Sequence, residues 1–241
     1  VPRQLSQYEN LFTEISGLGI HCLHIRSPHT QAQPLLITHG WPGSVLEFLN
    51  IIEPLTNPTT AGGDPSDAFH LVIPSLPGFG FSDQPSAPGV GVGQLAAVWD
   101  TLMQRLGYES YIAQGGAWGS LVTHALLLHP GTHCLAGHVN LPLVLPDEHT
   151  MSSDDPAEQA TLSAAMHYQE HESGYSKQQS TRPQTLAYAL ADSPSGQMAW
   201  IIEKYAQWTD CVQNTVRHPE NAVERDVLLD IATHYWMTNS A

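Results

Sequence analysis

The sequence is short of the residues that would mark several common protein classes. It has three cysteines, Cys22, Cys134 and Cys211, widely spaced and without a C-x-x-C pair. That pattern excludes a disulfide framework and a cysteine-built zinc site. Lysine and arginine total 8 against 23 aspartates and glutamates, for a formal net charge of −15, and the few basic residues do not cluster. A nucleic acid or an anionic membrane surface needs a basic patch to bind, so neither is an expected partner. No apolar run is long enough to span a bilayer, and residues 1–20 contain no signal-peptide core. A soluble, cytoplasmic protein is expected. Because the chain opens at Val1 rather than at methionine, a preceding segment is expected to be missing.

Histidine is plentiful, at 14 residues. The pairs His21/His24 and His129/His133 sit on or beside apolar runs, and neither forms H-E-x-x-H, so no metal is expected. Surface and capping roles are expected for them instead. With 241 residues, 41% hydrophobic and 13% charged, the chain can build one large domain, or a core with an inserted lid.

Short apolar runs that break into glycine and proline dominate the first 146 residues. Residues 19–26 alternate like a half-buried strand. Pro34–Thr38 and Phe69–Pro74 read as fully buried strands of a parallel sheet, ending in His39-Gly40 and in Pro77-Gly78-Phe79-Gly80. Leu95, Val98, Trp99, Leu102, Met103 and Leu106 then recur at helical spacing before Gly107. Tyr111–Ala113 is a third short strand. Leu121, Val122, Ala125, Leu126 and Leu128 form the apolar face of a helix closed by Pro130, and Leu135–Leu145 reads as one more strand. Alternating buried strands and helices imply an α/β fold with a mostly parallel sheet. After Pro146 only helices and loops are expected. Asp155-Pro156-Ala157-Glu158, Arg182-Pro183 and Ser193-Pro194 mark helix starts, and a further helix runs from about Val223 to Trp236. The expected organisation is a core over 1–146 and an all-helical cap over 147–241.

Gly115-Gly116-Ala117-Trp118-Gly119 follows a short strand and leads at once into a helix. This is the context of a nucleophile elbow, G-x-Nu-x-G on a sharp strand-to-helix turn. The following helix adds free N–H groups and a positive dipole end. Such a turn alone also suits a phosphate-binding loop, and His39-Gly40-Trp41-Pro42-Gly43 alone suits an ordinary turn. Together, at the ends of successive buried strands, they match the two halves of an oxyanion hole, with backbone N–H groups from Trp41 and Trp118.

HGWPGS at 39–44, LPGFGFSD at 76–83 and QGGAWGS at 114–120 resemble the signatures of epoxide hydrolases of the α/β-hydrolase fold. The nearest branch is the microsomal type, which includes juvenile hormone epoxide hydrolases. ESGY at 172–175, TRPQTLAYAL at 181–190 and DSPSGQMAWIIEKY at 192–205 are similar to that group's cap, so the resemblance covers nearly the whole chain. It implies the α/β-hydrolase fold with an inserted helical cap, an epoxide and water as substrates, and no cofactor. In that family an elbow aspartate attacks the epoxide carbon, cap tyrosines bind the epoxide oxygen, and an acid-oriented histidine activates water against the resulting ester. By residue, the resemblance places Ala117 at the nucleophile position, Trp41 and Trp118 at the oxyanion hole, and Tyr175 as one ring-opening tyrosine. Tyr175 read without the family is more readily a structural residue whose hydroxyl finds a local partner.

The chain departs from that pattern at Ala117, which has no nucleophilic atom, while Ser120 lies in the following helix, off the apex. No glycine-glycine-histidine segment or preceding acid is found downstream. The second tyrosine and last core strands are therefore expected beyond Ala241, and Tyr235 does not fill the gap. Three accounts of Ala117 compete: an engineered Asp→Ala replacement, a natural pseudoenzyme that binds a small molecule, and a different nucleophile, for which no side chain is available. The first is favoured because every neighbour still matches an active enzyme. A haloalkane dehalogenase shares the elbow and the HGxP loop, but Gly174-Tyr175 argues against it.

Overall fold

The computed structural model describes residues 2–241, with side chains from Gln4 onward. A short helix α1 (Pro2–Leu5) leads into strands β1 (Glu9–Ile15), β2 (Leu18–Ile25) and β3 (Gln33–Thr38). A 3-10 turn (Val45–Phe48) and helix α2 (Leu49–Thr56) precede β4 (Phe69–Pro74) and α3 (Val92–Arg105). Then follow β5 (Tyr111–Gly115), α4 (Trp118–Leu128) and β6 (Cys134–Val139). These strands make one sheet in the order β1-β2-β4-β3-β5-β6. β1 and β2 pair antiparallel, as do β2 and β4, while β4, β3, β5 and β6 run parallel to one another. This is the α/β-hydrolase fold.

The core lies where α3 and α4 cover the sheet. Trp99, Leu102 and Met103 of α3 pack with Val122 and Leu126 of α4 against Ile20, Leu36, Val72 and Tyr111, all nearly or fully buried. Each fully buried side chain of this size contributes roughly 1.5–3 kcal/mol. The α3 residues sit at i, i+3 and i+4, the spacing that puts them on one face. Gly107 follows with a φ of +86, as a helix stop requires.

Several expectations are corrected. β1 was not anticipated, because Glu9–Ile15 carries charge at both ends and pairs only with β2. β2 is buried at six of its eight positions rather than half-buried, being paired on both sides, by β1 and β4. The last strand of the parallel set ends at Val139, and residues 140–147 have no regular structure. Pro142 and Pro146 cannot donate to a ladder there. That strand is also exposed along most of its length, since among the described residues it pairs on one side only. Leu128 is 70% exposed at the end of α4. His21 and His24 are buried, not surface or capping residues.

Beyond β6 come α5 (Glu148–Ser152), α6 (Pro156–His167), a π-helical turn (Tyr168–Glu172), α7 (Gly174–Thr181), α8 (Pro183–Asp192), α9 (Pro194–Trp208) and α10 (Arg225–Thr238). Asp155 caps α6 by accepting from the backbone N–H of Ala157 and Glu158. A two-residue hairpin, β7 (Val212–Gln213) with β8 (Val216–Arg217), interrupts the otherwise helical region. The chain divides into two compact units, Val1–Pro142 with Met198–Ala241, and Leu143–Gln197. The expected helical cap is therefore split: α9 past Met198 and α10 belong to the unit that holds the sheet. No described helix is long and apolar enough to cross a membrane.

The sheet unit buries three histidines, His21, His39 and His234, whose conjugate acids are pushed down to about 4 by desolvation first, with mutual repulsion adding to it for His21 and His39. A histidine in the unfolded chain titrates near 6.5, so below that pH the unfolded chain binds protons the folded chain refuses. Stability is complete above about 6.5 and declines as pH falls toward about 4. The expected loss is roughly 2 kcal/mol per histidine at pH 5. Urea unfolding at pH 7 and pH 5 checks this, and His21→Gln should flatten part of the dependence. An unfolding midpoint that does not move between those pH values would exclude neutral burial of these rings.

Candidate active site

Strand pairing brings two loops together. β3 and β5 are parallel neighbours, with Thr38 directly across from Gly115. Both strands end at the same edge of the sheet, and Gly116 N–H donates to the Thr38 carbonyl at 3.3 Å. The His39–Gly43 loop and the Gly116–Gly119 turn therefore leave the sheet side by side.

Ala117 sits at the apex with φ 48 and ψ −120, between β5 and α4. A non-glycine residue in such a conformation stores on the order of 1–3 kcal/mol. Packing around the turn holds it there. A Cβ on Gly40 would lie 2.2 Å from the Ala117 Cβ and 2.9 Å from the Trp118 nitrogen, so glycine is needed for the two loops to touch. A Cβ on Gly119 would lie 2.0 Å from the Thr38 carbonyl oxygen, so α4 starts in direct contact with the end of β3. Trp118 is the first residue of α4, where the N–H has no acceptor within the helix. The Trp118 ring is 56% exposed, whereas Trp41 is buried and joined to Pro42 by a cis peptide bond.

His39 is structural. The Leu76 N–H donates to its Nε2 at 3.0 Å, so the proton resides on Nδ1, 3.0 Å from the Gly40 carbonyl. The ring thus ties the end of β3 to the loop after β4. Ser120 is also committed: its hydroxyl donates to the Gly115 carbonyl at 2.8 Å and receives the Leu141 N–H at 3.3 Å. One histidine is oriented by an acid. His133 Nδ1 lies 3.0 Å from Asp100 Oδ2, and Asp100 Oδ1 accepts from the Tyr111 hydroxyl and the His133 N–H. Tyr111 begins β5 and Ala117 follows its end. At about 3.3 Å per residue the pair lies more than 10 Å away, at the other end of the strand.

A cavity of about 250 Å³ opens beside Ala117, with Gly40, Trp41, Glu47, Asn140, Tyr205 and Trp208 among its walls. Trp41 and Trp208 meet edge to face, with centroids 6.5 Å apart. The Tyr205 hydroxyl reaches the Pro42 carbonyl at 3.5 Å, and the Tyr235 hydroxyl donates to the Gly43 carbonyl at 2.6 Å. Tyr235 is therefore a buried brace of the loop. Glu47, Asn140, Tyr205 and Trp208 escaped the sequence reading because nothing in their local pattern shows that α9 returns to the 40–43 loop. Tyr175 belongs to the separate helical unit, where its hydroxyl lies 3.0 Å from that of Tyr168. Burial and then the Tyr168 hydrogen bond raise its pKa, so the phenol keeps its proton at neutral pH.

Comparison with known proteins agrees with this geometry. Residues 33–168 match the model of the alpha/beta hydrolase fold, and residues 1–48 match that of the epoxide hydrolase N terminus. A protein of Stigmatella aurantiaca that carries an epoxide hydrolase name is 51% identical over 98% of this chain and 53% of its own length. The structure of Aspergillus niger epoxide hydrolase superposes with a TM-score of 0.82 at 35% identity, over 99% of this chain and 59% of that one. Juvenile hormone epoxide hydrolase from the silkworm Bombyx mori gives 0.86 at 33% identity, over 99% of this chain and 60% of that one. The chain spans about half the length of the curated relatives it matches.

The contact at Gly119 makes a stability prediction. Gly119→Ala forces a methyl into the Thr38 carbonyl, backbone against backbone, and should destabilise the protein by about 3 kcal/mol or more. Gly93→Ala, in the first turn of α3 with open space around it, should stabilise by roughly 0.5–1 kcal/mol. Paired urea denaturation curves test both. Equal, small effects would show that α4 does not dock on β3 as described.

Proposed function

The chain belongs to the α/β-hydrolase fold family, with epoxide hydrolases as relatives along nearly its whole length, and we propose that its site is built for epoxide hydrolysis through an alkyl-enzyme ester. The observation that carries the reading is the strained apex at Ala117, held against Gly40 and the Trp118 nitrogen by backbone contact. A side chain there is presented to the cavity by the turn itself. Ala117 occupies the nucleophile position, and with its methyl group the chain is inactive as it stands. With aspartate at 117, one carboxylate oxygen would attack an epoxide carbon as the C–O bond breaks. The oxygen released takes a proton from the Tyr175 phenol. The backbone N–H groups of Trp41 and Trp118 serve the oxyanion of the second step, in which water attacks the ester carbonyl and releases a vicinal diol. Donors of this kind are worth a factor of about 100 to 1,000 each. No cofactor enters these steps. The helical region around Tyr175 forms the proposed cap, and an engineered Asp→Ala change remains the favoured account of residue 117.

A second reading follows from the same methyl group: a catalytically dead protein of this fold that binds a small apolar molecule in the cavity. Turnover separates the two. A chain of the relatives' full length bearing Ala117→Asp should convert epoxide to diol on the first reading and only bind it on the second.

Within the 241 residues themselves, Ala117→Asp should give a single alkyl adduct on the peptide containing position 117, visible by mass spectrometry after epoxide exposure. The ester should accumulate without turnover, because the one acid-oriented histidine at a strand end, His133, stands at the wrong end of β5. Steady diol release would mean that another histidine activates water. Adding Tyr175→Phe should slow adduct formation about 100-fold or more, in the range of general-acid contributions. An unchanged alkylation rate would remove Tyr175 as the principal donor.

A further inference from the structure

Glu47 has no part in the chemistry above, yet it shares the cavity wall with Ala117, Gly40 and Trp41. It lies in the 3-10 turn Val45–Phe48 that continues the 40–43 loop, and its carboxyl folds back over Gly43. A Cβ on Gly43 would sit 2.0 Å from Glu47 Oε2 and 2.8 Å from its Cδ, so the carboxyl fills the space a side chain at 43 would take. The carbonyls of Pro42 and Gly43 are bound by the phenols of Tyr205 and Tyr235, and Glu47 raises the pKa of both. Three side chains from three elements thus converge on the loop that carries the Trp41 N–H.

The charged and titratable groups facing this cluster are few. α9 supplies Lys204 and Tyr205, α10 supplies Tyr235, and the end of β3 supplies His39. Lys204 Nζ is engaged by Glu203 at 2.6 Å and by Gln207 at 3.0 Å, and lies over the Trp208 ring. The His39 Nδ1–H is turned to the Gly40 carbonyl. A carboxylate at 47 would therefore stand beside two carbonyl-bound phenols with little compensating charge. Desolvation by surrounding protein pushes its carboxyl up to about 8, although the cavity leaves the residue open to water on one side.

We propose that Glu47 is a positioning residue that, as the neutral acid folded over Gly43, holds the Trp41–Gly43 loop in its ligand-binding form, and that its ionisation releases the loop. A carboxylate seeks water, so on ionising it leaves Gly43, and the wall of the cavity moves with it. The inference rests on the site reading above only in its choice of ligand, a small epoxide, which Ala117 cannot consume.

Two readouts test it on the chain as it exists. The first is acrylamide quenching of tryptophan fluorescence between pH 7 and 10, compared with Trp41→Phe to isolate the Trp41 signal. The second is styrene oxide affinity across the same range. Quenching of Trp41 should rise with a midpoint near 8. If only the neutral acid binds, Kd should increase about tenfold per pH unit above that midpoint. Glu47→Gln, which keeps the shape without the charge, should match the parent at pH 7 and lose the alkaline transition in both readouts. Gly43→Ala, which expels the carboxyl, should show the alkaline behaviour already at pH 7. A transition that survives in Glu47→Gln, or a parent that is flat from pH 7 to 10, overturns the proposal. If styrene oxide binds no variant at any pH, the epoxide reading fails, while the quenching transition and its loss in Glu47→Gln still decide the role of Glu47.

Discussion

The structure depends on one close backbone contact, where the start of α4 meets the end of β3. Gly119 touches the Thr38 carbonyl, and Gly40 touches Ala117 and the Trp118 nitrogen, at distances that leave no room for a Cβ. Parallel pairing of β3 with β5 sets the two strand ends level, and this contact converts that register into a site. The strain at Ala117 follows from it. A chain forced to turn from strand to helix while pressed against a second loop must adopt a positive φ at the apex. The cost is offset by the core beneath, where α3 and α4 bury Trp99, Met103 and Leu126 on the sheet.

Around this contact, polar groups that resemble catalytic ones are mostly occupied. His39 spends both ring nitrogens on backbone, Ser120 spends its hydroxyl on the strand behind it, and Tyr235 braces Gly43. Asp100 and His133 have the geometry of a relay but anchor the start of β5 instead. Buried polar groups require partners, and loops that must hold a shape recruit them. What is left facing the cavity is a short set: the apex side chain, Asn140, Glu47 and the aromatic walls.

Most of the sheet was legible because buried parallel strands are short apolar runs that end in glycine or proline, as at Leu35–Thr38 and Leu71–Pro74. Helix starts were legible where a capping side chain precedes proline, as at Asp155-Pro156. β1 was not, because Asn10–Glu14 alternates only weakly and pairs at an edge. The final strand was read too long, because the apolar content of Leu141–Leu145 outweighed the two prolines that end the ladder. The burial of His21 and His24 was missed because β2 is paired on both sides, and pairing is not a local property.

For the site, the glycines of the two loops carried the assignment, since glycine is retained where nothing larger fits and its spacing is visible in the chain. The sequence by itself determined the α/β-hydrolase fold, the elbow, and the alanine at its apex. Only tertiary structure decided that α9 and α10 join the sheet unit, that Tyr205 and Tyr235 grip the 42–43 carbonyls, and that the Glu47 carboxyl fills the space over Gly43. The physical reason is distance along the chain. Elbow and strand patterns are written in neighbouring residues, where sterics and periodicity act. The bond from Tyr235 to Gly43 joins positions 192 residues apart, and no local preference at either end encodes it.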